Sequence, residues 1–262
     1  MRTVRTVAEV RDALRDRRGV VGLVPTMGAF HEGHLSLMRA AREACDLVVV
    51  SLFVNPSQFN AAEDLARYPR DEAADARAAE AIGVELLFAP VAAELYPDGF
   101  DTWVEPGELA TSLEGASRPG HFRAVATVCT KLFSIVQPDV AYFGRKDAQQ
   151  VAVIKRVVAD LNLPLEIVAL PTVRDTNGLA LSSRNAFLSP AERAVALALP
   201  RALEAGAAAH RANADPIAAA RGVLAIERGL TVDYVEVAEL DGPTLVAAVR
   251  VGATRLIDNV RL

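Results

Sequence analysis

The sequence predicts an α/β protein: a parallel sheet flanked by helices, followed by a smaller C-terminal α+β domain. Three observations predict it. Short, nearly unbroken apolar runs recur at residues 20–24, 47–54, 84–89, 140–143 and 167–173, as expected for strands buried on both faces. Segments with helical spacing lie between them, at 35–44, 71–82, 122–136 and 148–161, and that alternation marks βαβ crossovers. Past about residue 173 the pattern changes to alanine-rich helices and then a few strands. The expected division is therefore a domain over residues 1–172 and a smaller one over 173–262.

Taken in order, Thr6 and Glu9 form a capping-box pattern, and Val7, Val10 and Leu14 follow at helical spacing. The run at 20–24 is stopped by Pro25 and Gly28, and an amphipathic segment begins at about His31. The predicted strand ends carry Thr26, Asn55, Gly144 and Arg174. Ligands of parallel sheets bind beyond the carboxyl ends of the strands, so these positions mark the expected working edge. Ser189-Pro190-Ala191-Glu192 is a second capping box, with proline at the first helical position. One long alanine-rich helix is expected from there to about Arg211, and another opens at Asp215-Pro216. The tail from Thr231, with DYVEVAEL and TRLIDNV, reads as strands, some of them antiparallel.

Composition narrows the function classes. The chain has 262 residues, 52% of them hydrophobic and 23% charged, which suits a soluble globular enzyme and not a disordered chain. A net charge of −5 with no long basic run argues against a nucleic acid partner, which needs a basic surface to displace counterions. Cys45 and Cys129 sit inside apolar stretches and read as buried small hydrophobes, not as a disulfide or metal framework. The first residues are charged throughout, and no segment has the apolar length of a membrane span, so the expected location is the cytoplasm.

The most informative stretch is residues 20–35, VVGLVPTMGAFHEGHL. His31 and His34 are three residues apart, so on a helix they share one face of its first turn. A helix N-terminus offers unpaired N–H groups and partial positive charge, which suits phosphate. Four further strings matter. Asn55 and Gln58, in FVNPSQF, follow the second strand and are either ligand-binding amides or loop amides bonded to backbone. The loop SRPGHFR at 117–123 either brings cations to a polyphosphate or solvates a surface turn. In FGRKDAQQ, Gly144 permits close approach, Lys146 adds charge, Asp147 is placed to cap, and Gln150 lies a turn into the next helix. No GxxxxGK[ST] is present, so this is not a P-loop. Finally LSSRN at 181–185 supplies two hydroxyls and a guanidinium that suit phosphate oxygens, or else a turn capping the next helix.

An HxGH turn after the first strand and a late Ser-Ser-Arg loop resemble the nucleotidyltransferase superfamily that includes class I aminoacyl-tRNA synthetases. Within it, PTMGAFHEGH, FVNPSQF, RPGHFR, FGRKDAQQ and LSSRN, in that order, closely resemble the pantothenate synthetase (pantoate–β-alanine ligase) family. The resemblance runs from about residue 20 to 190 and continues more weakly into TRLIDN. It implies a Rossmann-like nucleotidyltransferase domain, a homodimer, and condensation of (R)-pantoate with β-alanine using ATP and Mg²⁺. It also implies that ATP is embraced by Met27, Gly28, Ala29, Phe30, His31, Glu32, Gly33 and His34. Gly144, Arg145, Lys146 and Asp147 would join them, with Val173 through its backbone, and Leu181, Ser182, Ser183 and Arg184. His34 is then the proton donor beside His31, with Lys146 and Arg184 the other catalytic groups. Gln58 and Gln150 would hold pantoate, and Gln58 would face β-alanine as well. Leu181 replaces a methionine usual in the family, a swap of similar volume. The segment before TRLIDN is shorter than in many relatives. Asp75 falls where the family often has an acid near the metal, but its neighbours differ and the metal ligands stay open.

The implied chemistry makes an amide by first activating a carboxylate as an acyl adenylate, which needs no protein nucleophile. A closing element is expected to shield that intermediate, with residues 55–67 and 117–123 as the candidates. Two rivals share parts of the pattern. A nucleotidyltransferase that leaves the nucleotide on its product has no use for the glutamines of FVNPSQF and KDAQQ. A nucleotide sensor without chemistry has no use for His31, His34, Lys146 and Arg184 together.

Overall fold

A computed structural model describes residues 1–59 and 62–262. The chain folds as two compact units, one made of Met1–Gly144 and Gln149–Leu170, the other of Arg145–Ala148 and Pro171–Leu262. The short piece after the fifth strand is thus part of the second unit.

In the first unit six strands form one parallel sheet: β1 (Arg2–Val4), β2 (Val21–Thr26), β3 (Leu47–Leu52), β4 (Leu86–Phe88), β5 (Val140–Gly144) and β6 (Glu166–Leu170). Their order is β1-β4-β3-β2-β5-β6. The chain therefore winds one way from β2 to β4 and then lays β5 and β6 on the other side of β2. That reversal puts a switch point between the carboxyl ends of β2 and β5, where open α/β sheets leave a crevice for ligand. The helices are α1 (Val7–Leu14), α2 (Glu32–Ala44), α3 (Ala62–Arg67), α4 (Glu72–Ile82), α5 (Ala92–Leu95), α6 (Glu114–Ser117), α7 (His121–Val136) and α8 (Ala148–Asp160).

Side chains of the strands alternate between two cores. Val21 and Leu23 pack with Val10 and Leu14 of α1, Val128 and Leu132 of α7, and Ile154 of α8. Val24, Val48, Val50 and Leu87 pack with Leu37, Met38 and Ala41 of α2 and Ala79 of α4. Both faces are covered, which is why the strands read as unbroken apolar runs. Each buried Val, Leu, Ile or Met among them contributes about 1.5–3 kcal/mol.

The predicted strand at 167–173 stops at Leu170, because Pro171 has no N–H for a ladder. The predicted helix at 35–44 starts earlier, at Glu32. Strand β1, only three residues long, gave no periodic signal.

The second unit has an antiparallel sheet of β7 (Leu230–Glu239), β8 (Pro243–Val251) and β9 (Thr254–Arg261), in that order. Leu199, Leu203 and Leu224 from α10 (Ala198–Arg211) and α11 (Pro216–Ala225) pack on Leu245 and Val249 of β8. The expected single alanine-rich helix is two: α9 (Pro190–Ala196) and α10 are separated by Leu197, the C-cap of one and the N-cap of the other. Pro200 explains the break, since its ring clashes with the carbonyl four residues earlier and it has no N–H to bond it. The capping box of Ser189 and Glu192 forms as expected, and so does that of Thr6 and Glu9.

Candidate active site

The turn between β2 and α2 is built by its own backbone and by one distant acid. Thr26 Oγ1 donates to the carbonyl of Ser51 at 2.7 Å and accepts from Gly28 N–H at 3.3 Å. Gly28 and Ala29 then both take positive φ, +84° and +54°. The buried carboxylate of Asp75, on α4, accepts the N–H groups of Ala29 and Phe30 at 2.8 and 2.7 Å. The chain leaves this turn in extended conformation at His31, the N-cap of α2.

Two histidines here do what Ser and Glu do in an ordinary capping box. His31 Nδ1 accepts from Gly33 N–H at 3.1 Å, and His34 Nδ1 accepts from His31 N–H at 3.3 Å. Their ring centroids are 4.2 Å apart. Since each Nδ1 is an acceptor, the ring proton of each imidazole resides on Nε2. Two imidazoles thus sit on the first turn of a helix, whose own N–H groups and dipole favour negative charge. The Glu32 side chain turns to Arg39 at 2.5 Å, and that hydrogen bond holds its pKa below the ordinary carboxylate value. Met27 and Gly28 also line a cavity of about 240 Å³ with Leu52, Phe53, Val54 and Asp75.

Beyond β3, Asn55 is completely buried and caps a 3-10 turn over Pro56–Gln58, its Oδ1 accepting from Ser57 N–H and Oγ at 3.2 and 2.7 Å. The loop reading of Asn55 therefore holds for its carbonyl, while its Nδ2 makes no hydrogen bond among the described residues. Gln58 is also buried, and its carbonyl accepts from Arg118 at 3.1 Å. Arg118 donates as well to Nε2 of His121 at 3.0 Å. The arginine of RPGH thus secures the turn that carries Gln58. Arg123 lies 4.6 Å over the Trp103 ring and pairs with Glu105. Of the expected closing segment at 55–67, residues 60 and 61 lie outside the described residues.

The two adjacent glutamines of KDAQQ separate cleanly. Gln149 is buried and spends its whole amide on loop backbone: it donates to Leu109 and Ser112 carbonyls at 2.7 and 2.9 Å and accepts from Glu114 N–H at 3.0 Å. Gln150, the residue expected to touch ligand, is half-buried on α8.

In the second unit, Lys146, Ser182, Arg184, Asn185 and Arg255 line one small cleft. The structure thus brings together two sequence-predicted strings, GRKD and SSR, some forty residues apart. Arg145 and Lys146 are held through their carbonyls by Asn259 Nδ2 of β9, at 2.8 and 2.9 Å. Ser182 caps the 3-10 turn Ser183–Phe187 by accepting from Arg184 N–H at 3.3 Å. Val173 and Leu181 are neighbours, with Leu181 N–H bonded to the Val173 carbonyl at 2.9 Å. That strip is anchored by Arg174, which grips the buried Asp258 of β9 through two bonds of 2.6 and 3.0 Å. The pair raises the Arg174 pKa above its ordinary value. The Asn259 and Asp258 contacts give the TRLIDN string its physical purpose.

Sequence reading missed Arg118, Gln149 and Asp258 as supporting groups and left the task of Asp75 open. Each acts across many residues on a backbone atom or a partner charge, which no local pattern signals. Among the described residues, no group of three His, Cys, Asp or Glu side chains is arranged to hold a metal ion. Cys45 and Cys129 are buried free thiols, and burial pushes the Cys129 pKa up to about 12. Neither is placed as a nucleophile. Among the described residues, no helix is long and apolar enough to cross a membrane.

A doubly wound sheet with anion-seeking donors at its switch point is the architecture of an α/β enzyme acting on a phosphate-bearing substrate. Comparison with known proteins is more specific. The family model for pantoate-beta-alanine ligase matches residues 2–261, and the chain belongs to that family. It is 53% identical to pantothenate synthetase 1 of Bradyrhizobium diazoefficiens, covering 100% of this chain and 98% of the relative. It superposes on the crystal structure of pantothenate synthetase from Thermus thermophilus with a TM-score of 0.95 and 46% identity, over 100% of this chain and 99% of that one. The ligase of Francisella tularensis, solved with β,γ-ATP and β-alanine, gives a TM-score of 0.86 and 34% identity over 100% and 97% of the two chains.

Proposed function

We propose that the chain condenses (R)-pantoate with β-alanine at the expense of ATP, giving pantothenate, AMP and diphosphate. The observation that carries this reading is the pair of imidazoles on the first turn of α2, each oriented by a backbone N–H donated to its Nδ1. The pantoate carboxylate attacks the α-phosphorus, the bond to diphosphate breaks, and a pantoyl adenylate forms. The amine of β-alanine then attacks the acyl carbon, AMP leaves with the bridging oxygen, and one proton is released. His34 donates to charge developing on phosphate oxygen, with His31 beside it as a second donor. Lys146, Ser182, Ser183 and Arg184 bind phosphate oxygens, Gln58 and Gln150 hold pantoate, and Gln58 also meets β-alanine. The remaining ATP contacts follow the expected set: Met27 to Gly33, Gly144, Arg145, Asp147, Val173 and Leu181.

The protein's work is positioning and charge stabilisation, for which one preorganised donor is worth roughly 100- to 1000-fold in rate, on the order of 3–4 kcal/mol. ATP would enter as its Mg²⁺ complex, a cation that is usually bound through one or two carboxylates together with substrate phosphates and would neutralise phosphate charge there. Residues 1–172 form the ATP- and pantoate-binding domain, and residues 173–262 form the smaller domain that carries Ser182, Ser183 and Arg184. The enzyme works as a cytoplasmic homodimer, which a sedimentation mass of two chains would support and a single-chain mass would refute.

The test is product analysis with ATP, Mg²⁺ and (R)-pantoate, with and without β-alanine. Equal amounts of AMP and amide, formed only with the amine, establish the reading. A nucleotidylated product without free AMP, or ATP binding without turnover, contradicts it.

A further inference from the structure

We propose that Asp75 is a positioning residue for adenylation, acting through the β2–α2 turn and not as a metal ligand. The proposal rests on the adenylation reading above. Asp75 lies 46 residues from Ala29 in sequence, yet it is only 5% exposed, and its two oxygens each take one N–H of that turn. Gly28 and Ala29 are consecutive left-handed residues, a conformation that alanine rarely adopts. Successive amides in such a turn make a concavity suited to an anion. Here the chain's own carboxylate fills it, seated so closely that a Cβ on Gly28 would lie 2.9 Å from Asp75 Oδ2. Phe30, whose N–H is one of the two held, is followed directly by His31, the N-cap of α2. The carboxylate therefore sets the path along which the chain enters α2, and with it the aim of both imidazoles. Each oxygen accepts one of the two N–H groups of the turn.

Asp75→Asn keeps the size of the side chain but offers one amide an N–H instead of an oxygen. In pantoate-dependent ATP–pyrophosphate exchange, its kcat should fall about 10- to 100-fold, the scale of a small misplacement of catalytic groups. The KM for pantoate and the Mg²⁺ concentration for half-activation should stay within about twofold of the starting enzyme. Adding Ala29→Gly should recover about fivefold or more, because glycine holds a positive φ without help from Asp75. A fully active Asp75→Asn, or one whose rate returns on raising Mg²⁺, overturns the proposal. Should Asp75→Asn fail to fold, amide exchange in the unaltered protein decides. Slow exchange of the Ala29 and Phe30 N–H groups without ligand supports the clamp, and fast exchange overturns it. Absence of pyrophosphate exchange by the unaltered enzyme would sink the adenylation reading alone, since the amide measurement does not depend on turnover.

Discussion

His31 and His34 complete each other's first helical turn: the N–H of His31 donates to Nδ1 of His34 at 3.3 Å, while Nδ1 of His31 accepts from Gly33 N–H. One pair of side chains thereby caps the helix and fixes two ring protons on Nε2. Capping and chemistry should be separable by substitution.

His34→Gln keeps a residue type that serves at this position of a capping box. Its unfolding free energy should stay within about 0.5 kcal/mol of the parent, while adenylation falls roughly 100- to 1000-fold. His34→Ala should lose the same rate and also about 1 kcal/mol of stability, measured by urea unfolding. Equal stability for both variants would show that the cap contributes nothing.

Lys146→Ala should fold normally, because the backbone of this turn is held by Asn259 through the Arg145 and Lys146 carbonyls and not by the lysine side chain. Its adenylation rate should drop by roughly 100-fold or more. Wild-type turnover by the purified variant would remove Lys146 from the phosphate contacts.

The Arg174–Asp258 pair should be asymmetric. The Asp258 side chain is 1% exposed and that of Arg174 32%. Arg174→Ala strands a buried carboxylate and should cost about 3–5 kcal/mol, whereas Asp258→Ala frees a cation that reaches water and should cost about 1–3 kcal/mol. Denaturant titration of the two variants checks the order, and the reverse order would contradict the assignment of burial.

Cys129 gives a pH dependence with a definite sign. Its folded pKa, pushed up to about 12, exceeds the ordinary value of 9.0. Its stabilising effect is therefore complete below pH 9 and is lost as pH rises between those values. Over that window the parent should lose about 1.4 kcal/mol per pH unit more than Cys129→Ala. Identical slopes in urea unfolding at several alkaline pH values would refute it. Both thiols should also resist alkylation in the native state.

The parallel sheet was legible because strands buried on both faces leave unbroken apolar runs, and the HxGH turn because its residue types are rare elsewhere in the chain. Capping boxes at Thr6 and Ser189 were legible for the same local reason. The interruption of the alanine-rich helix at Leu197 was hidden by strong helix propensity on both sides of it, although Pro200 was in view. Spacing alone does not separate Gln149 from Gln150, and it was the family resemblance that singled out Gln150. Only the fold shows that one amide is consumed by the loop at 109–114. The tasks of Asp75, Arg118 and Asp258 depend on contacts made after folding, so no spacing rule reveals them.

The most direct test of the central claim follows an oxygen atom. With (R)-pantoate labelled by ¹⁸O in its carboxylate, each AMP released in the presence of β-alanine should carry one labelled oxygen, handed over through the acyl adenylate. Unlabelled AMP, or label found in diphosphate, would show that the carboxylate does not attack the α-phosphorus and would contradict the account.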